Sequence, residues 1–88
     1  MKFSLYILEL QNSQFYIGST PNLERRLFEH ENGKVISTKG KLPCKLVFHA
    51  EFESLKDARK TEYKLKSYKN KNIIKRIVAD QRIQSLGS

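Results

Sequence analysis

Residues 3–30 read FSLYILELQNSQFYIGSTPNLERRLFEH, and the alternation of apolar and polar positions along them sets the architecture. Residues 3–10 are mostly apolar and aromatic, which predicts a largely buried strand. Gln11-Asn12-Ser13 is a turn signal, because short amide and hydroxyl side chains bond back to the local backbone. Residues 14–18 form a second short strand, so the two make a hairpin. Thr20-Pro21 predicts a helix start, with Thr20 as N-cap and Pro21 at the first helical position, where its missing N–H costs nothing. Leu23, Arg26, Leu27 and His30 follow at helical spacing and share one face. Asn32-Gly33 closes that helix, since glycine accepts a left-handed cap.

Beyond this stretch, residues 34–43 are polar, contain Gly40 and predict an exposed loop. Residues 44–52 (CKLVFHAEF) predict a third strand with Leu46, Phe48, Ala50 and Phe52 on one side. Ser54-Leu-Lys-Asp57 resembles a capping box and opens a helix whose stripe carries Leu55, Ala58, Glu62 and Leu65. Asn70 or Asn72 caps a last helix through Ile73, Ile74, Ile77 and Val78. The expected fold is α+β: a three-stranded, mostly antiparallel sheet flanked by helices, in the order β-β-α-β-α-α. One domain is expected over residues 1–80, with a frayed tail over 81–88.

The chain has 88 residues and a formal net charge of +8, unevenly placed. Residues 1–55 carry a net +1 and residues 56–88 a net +7. A field of that kind suits phosphate backbones first, anionic surfaces second, and solubility alone as the plain alternative. The longest apolar runs are far too short to cross a bilayer, and the N-terminus does not read as a signal peptide. The single cysteine, Cys44, excludes an internal disulfide and points to a cytoplasmic setting. No CxxC pair or His/Cys cluster suggests structural zinc.

Several residues are unusual for a purely structural role. Tyr6 and Tyr16 sit inside the two hairpin strands; Arg26 and His30 lie one turn apart; Glu62 interrupts an apolar stripe, where a carboxylate needs a partner or a cation. Taken singly, each has an ordinary reading: strand packing for the tyrosines, a snorkelling arginine, a dipole-stabilising histidine, an i, i+4 pair between Glu62 and Lys66. Together, Leu5-Tyr6-Ile7, Tyr16-Ile17-Gly18, Arg26, His30 and the segment from Ala58 through Glu62 to Lys66 resemble the GIY-YIG nuclease superfamily, over about residues 3–78. The first half-motif lacks its glycine, and Ser19 stands where excision-repair members carry lysine.

The resemblance implies an endonuclease that hydrolyses nucleic-acid phosphodiesters, DNA favoured, with unpaired strands within range because some small members cut single-stranded DNA. It implies Tyr6, Tyr16, Arg26, His30 and Glu62 as catalytic residues, with Glu62 holding one Mg²⁺ or Mn²⁺. Tyr6 ranks first as base, which asks Arg26 and the cation to lower its phenol from the ordinary value. Lys64, Lys66, Lys69, Asn70, Lys71, Lys75 and Arg76 would contact the nucleic-acid backbone. The alternative is a non-catalytic nucleic-acid-binding module on the same fold, and no membrane partner is expected. One geometric condition follows: the nuclease reading requires an odd hairpin loop or a bulge. A two-residue loop, Asn12-Ser13, puts the two phenols on opposite faces of the hairpin. A three-residue loop pairs Leu10 with Gln14, sets Tyr16 opposite Leu8 on Tyr6's face, and requires a left-handed residue at Asn12 or Ser13.

Overall fold

The computed structural model describes residues 2–68 and 70–81. The elements run β1 (Phe3–Glu9), β2 (Phe15–Thr20), α1 (Leu23–Glu31), α2 (Ile36–Lys39), β3 (Lys45–Phe52), α3 (Leu55–Ser67) and α4 (Lys71–Asp80). The sheet order is β2-β1-β3 with both pairings antiparallel, so β1, the most apolar strand, is central. This is the expected α+β fold with one added element, the short helix α2.

The hairpin meets the condition set by the tyrosines. The Leu10 N–H donates to the Gln14 carbonyl at 2.8 Å, Leu8 stands opposite Tyr16, and Ser13 takes the left-handed conformation at φ 66°. Alternate residues of β1 then feed two cores. Leu5 and Ile7 pack with Ile17, Phe48, Leu65, Ile74 and Ile77 beneath α3 and α4. Tyr6, Leu8 and Leu10 pack with Tyr16, Leu23, Leu27 and Leu46 on the α1 side.

Three local expectations are corrected. Leu46 does not share a side with Phe48: the β1–β3 register slips so that Ile7 faces Phe48 and Leu8 faces Leu46, leaving Val47 as an extra residue. This bulge turns Leu46 to the Tyr6 face. The cap of α1 is Asn22, not Thr20; its side chain accepts from the Arg25 N–H at 3.1 Å. Thr20 is still paired with Ser4 in the ladder, so its backbone belongs to the strand and Pro21 falls outside the helix. Residues 34–43 are not wholly an exposed loop, because Val35 and Thr38 are buried. Gly33, at φ +69°, turns the chain back so that this segment packs beside α1.

The caps of the later helices match the sequence. Ser54 accepts from the Asp57 N–H at 3.2 Å, and Asn70, rather than Asn72, caps α4. Of the tail expected to fray, Gln81 is anchored: its amide donates to the Val47 carbonyl at 2.9 Å, tying the end of α4 to the bulge. Residues 82–88 lie outside the described residues.

Candidate active site

The side chains of Tyr6, Tyr16 and His30 meet on the α1 side of the sheet. Ring centroids of Tyr6 and Tyr16 are 6.3 Å apart, and His30 stands edge-on to both, at 5.6 Å from Tyr6 and 5.0 Å from Tyr16. Tyr6 and His30 are fully enclosed, Tyr16 half-buried. The Tyr6 hydroxyl is 2.9 Å from His30 Nε2, and His30 Nδ1 is 2.8 Å from Thr38 Oγ1. Tyr6 can lean this way because of its cross-strand neighbour. Gly18 lies directly opposite, and a Cβ there would fall 2.5 Å from the Tyr6 oxygen. The glycine is therefore a close-approach site, with the Tyr6 ring laid across β2 toward the sheet's edge.

Glu62 approaches the same edge from the other face. It projects from α3, which packs on the opposite side, and its carboxylate is met there by Ser19. Side chains alternate along β2, so Gly18 faces the tyrosines and Ser19 faces α3. The Ser19 hydroxyl donates to Glu62 Oε1 at 2.6 Å, and Lys66 Nζ donates to Oε2 at 2.7 Å. Arg26 completes the cluster from α1. Its guanidinium interacts electrostatically with the Tyr6 phenol, and Nη1 donates to Glu29 Oε1 at 3.0 Å. Glu29 also pairs with Arg25 at 3.6 Å, holding two guanidiniums over one cleft.

Burial dominates the electrostatics. It pushes the Tyr6 phenol up to about 12, Arg26 pulling down while Tyr16 and Glu62 add to the rise. Arg26 thus acts on this phenol in the expected direction, and burial outweighs it. Burial, then the charge of Arg26, pushes His30 below the usual imidazole range, which keeps it neutral near pH 7. Arg26 is held more firmly protonated, chiefly by the neighbouring Tyr6 phenol.

Two depressions open along the β2 edge. One, of about 310 Å³, is lined by Ser19, Arg25, Arg26 and Glu29. The other, of about 470 Å³, is lined by Phe15, Tyr16, Lys66, Asn70 and Lys71. Of the backbone-contacting residues named from sequence, Lys66, Asn70 and Lys71 border this second groove. Lys64, Lys75 and Arg76 are exposed but do not line it. Lys69 lies outside the described residues. Sequence reasoning gave no role to Gly18, Ser19, Glu29 or Thr38. Only Gly18, a glycine inside a strand, carried a signal.

A family model described as the GIY-YIG catalytic domain matches residues 2–76. The chain belongs to the GIY-YIG family. This is a nuclease family, and GIY-YIG nucleases generally use divalent metal ions. Relatives include a UPF0213 protein of Clostridium perfringens, 34% identical over 96% of this chain and 82% of its own length. A UPF0213 protein of Natronomonas pharaonis is 35% identical over 88% of this chain and 91% of its own. The solution structure of a UPF0213 protein from Bacillus halodurans superposes with a TM-score of 0.60 at 29% identity, covering 92% of this GIY-YIG chain and 87% of that one. Among the described residues, no helix is long and apolar enough to cross a membrane.

Proposed function

We propose that this chain is a metal-dependent endonuclease that hydrolyses nucleic-acid phosphodiester bonds, with DNA favoured. The observation that supports this reading is the meeting, at one strand edge, of a phenol–imidazole pair and a guanidinium from one face with a lone carboxylate from the other. Core packing does not require such a set, and nor does a module that only binds. The domain is taken as residues 1–80, in a cytoplasmic setting.

The donor set fits a single ion. Glu62 offers two carboxylate oxygens and Ser19 a hydroxyl beside them, hard donors of the kind Mg²⁺ and Mn²⁺ accept while keeping several waters. Among the described residues no three His, Cys, Asp or Glu gather, which disfavours a two-ion clamp. Held by Glu62, the ion would neutralise the scissile phosphate and stabilise the departing 3′ oxygen.

The remaining work falls to the chain. Arg26 grips the phosphate through its planar fork and counters transition-state charge. Tyr6 takes a proton from the attacking water as the new P–O bond forms, and its own phenol proton passes to His30 Nε2. The P–O3′ bond breaks, and the leaving oxygen gathers a proton from solvent. A phenol near 12 is ionised in only about 10⁻⁵ of molecules at pH 7, so the base needs this acceptor at hand. General-base help is worth roughly 10²–10⁴ in rate. Tyr16 borders the pocket and orients the water. Lys66, Asn70 and Lys71 carry the strand along the second groove, while Lys64, Lys69, Lys75 and Arg76 add sequence-independent attraction.

The test is cleavage of matched single- and double-stranded DNA, and of RNA, with Mg²⁺ or Mn²⁺. Glu62→Gln and Arg26→Ala are expected to abolish cleavage while salt-sensitive binding survives. A wild-type protein inert on every substrate with either metal refutes the enzyme and leaves the binding module.

A further inference from the structure

His30 is wholly buried between two hydroxyl groups, Tyr6 at Nε2 and Thr38 at Nδ1. A neutral imidazole has one N–H and one bare nitrogen, so one hydroxyl must donate to it and the other accept from it. Which one does so decides whether Nε2 is free to take the phenol proton of Tyr6.

The hydrogen-bond inventory separates the two tautomers. Among the described residues the Tyr6 hydroxyl is hydrogen-bonded to His30 Nε2. If Nε2 carried a proton, it would donate to the phenol oxygen. The phenol's own proton, on a residue 1% exposed, would then be left without this acceptor. An orphaned buried donor is costly. With the proton on Nδ1, every hydrogen is placed. Tyr6 donates to Nε2, Nδ1–H to Thr38, and the Thr38 hydroxyl to the Val35 carbonyl, a weaker contact at 3.5 Å.

We infer that Thr38 is a positioning residue, which fixes His30 as its Nδ1–H tautomer and so keeps Nε2 bare toward Tyr6. Thr38 is fully buried, held by its own N–H to the Val35 carbonyl at 3.1 Å, in the segment that Gly33 folds back against α1. Its importance for rate rests on the nuclease reading; the tautomer itself does not. During a turnover the phenol proton moves to Nε2 as Tyr6 accepts one from water. The imidazolium so formed keeps its Nδ1–H on Thr38, with no hydroxyl rotation, and returns its extra proton through Tyr6 to solvent.

The experiment is a long-range ¹H–¹⁵N correlation spectrum of the full chain labelled at histidine, with His49 assigned from His49→Gln. In the wild type, His30 Nδ1 is expected to resonate as a pyrrole-type nitrogen and Nε2 as a pyridine-type one. Thr38→Val removes the acceptor of Nδ1–H, so each tautomer then strands one buried donor, Nδ1–H or the Tyr6 O–H; the Nδ1–H preference is lost and the Nε2–H form becomes populated. In parallel, kcat for cleavage is expected to fall on the order of 10- to 100-fold with KM little changed, the scale of losses from other outer supporting contacts. Thr38→Ser restores both. Protonated Nε2 in the wild type, or a Thr38→Val spectrum identical to it, overturns the inference. If Thr38→Val does not fold, the wild-type spectrum alone decides. A protein that never cleaves but shows the expected tautomer sinks the nuclease reading and spares this one.

Discussion

Gly18→Ala probes the packing on which the site is built. The added methyl would lie 2.5 Å from the Tyr6 oxygen and 2.6 Å from Cζ, so the ring must retreat by about half an ångström or more to reach the 3.0 Å that Cβ atoms tolerate. The ring has little room, being enclosed by Tyr16 and His30. Overpacking of this kind costs roughly 1–3 kcal/mol. Alanine returns roughly 0.5–1 kcal/mol by stiffening the unfolded chain. At mid-range the net loss is about 1 kcal/mol, which in a domain of this size lowers Tm by about 4–8 °C. The shift also lengthens the 2.9 Å contact with His30, so cleavage well below Tm should fall by about tenfold or more. Thermal melts followed by circular dichroism and cleavage at 20 °C measure the two effects separately. Tyr6→Phe in the Gly18→Ala background removes the nearest atom and should recover part of the stability, giving a non-additive cycle. A Gly18→Ala protein that melts like wild type, or a strictly additive cycle, refutes the close approach.

Ser19→Ala removes the 2.6 Å bond to Glu62 and is expected to weaken Mn²⁺ binding about 10- to 100-fold by calorimetry, with Tm nearly unchanged. Lys66→Met frees Glu62 Oε2, so Mn²⁺ should bind more tightly while the slope of DNA affinity against log salt falls by about one. His30 has a folded pKa below its unfolded one, so the native state binds fewer protons; stability is full above about pH 6.5 and declines as pH falls below it, a trend that Tm measured from pH 7.5 to 5 checks. Tyr6 runs the other way. Its raised phenol contributes stability present below about pH 10 and lost as pH rises toward about 12, and phenolate absorbance should resolve one late-titrating tyrosine.

The sequence carried the hairpin register because one requirement of the nuclease reading, two phenols on one face, calls for an odd loop or a bulge, and the three-residue loop with Ser13 in the left-handed region meets it. It carried the pairing of Glu62 with Lys66 through helical spacing alone. The Val47 bulge was not legible: the alternation of Leu46, Phe48, Ala50 and Phe52 is unbroken in the sequence, and the slip arises from pairing with β1. The Asn22 cap was missed because Thr20-Pro21 is a good local signal, overridden by a ladder that holds Thr20 in the strand. Thr38 was missed for a similar reason. Its neighbours Ser37, Lys39 and Gly40 are polar or small and exposed, and only contact with His30 tells it apart.

The position of the site follows from the same pairings. Side chains on opposite faces of a sheet are separated by the sheet itself, and meet only where it ends. β2 is an edge strand, so Glu62, arriving with α3 on one face, can come to the same edge as groups on the α1 face. Two consecutive residues manage the crossing. Gly18 has no side chain to block the Tyr6 ring as it reaches across β2, and Ser19, pointing the other way, fixes Glu62 beside the same backbone. Exchanging their order would close the passage with a hydroxymethyl group and leave the carboxylate without its 2.6 Å anchor. On this argument the glycine and the small polar residue after it act as one unit. Gly18→Ala and Ser19→Ala should therefore each weaken cleavage by a separable route, the first through the Tyr6–His30 contact and the second through metal affinity.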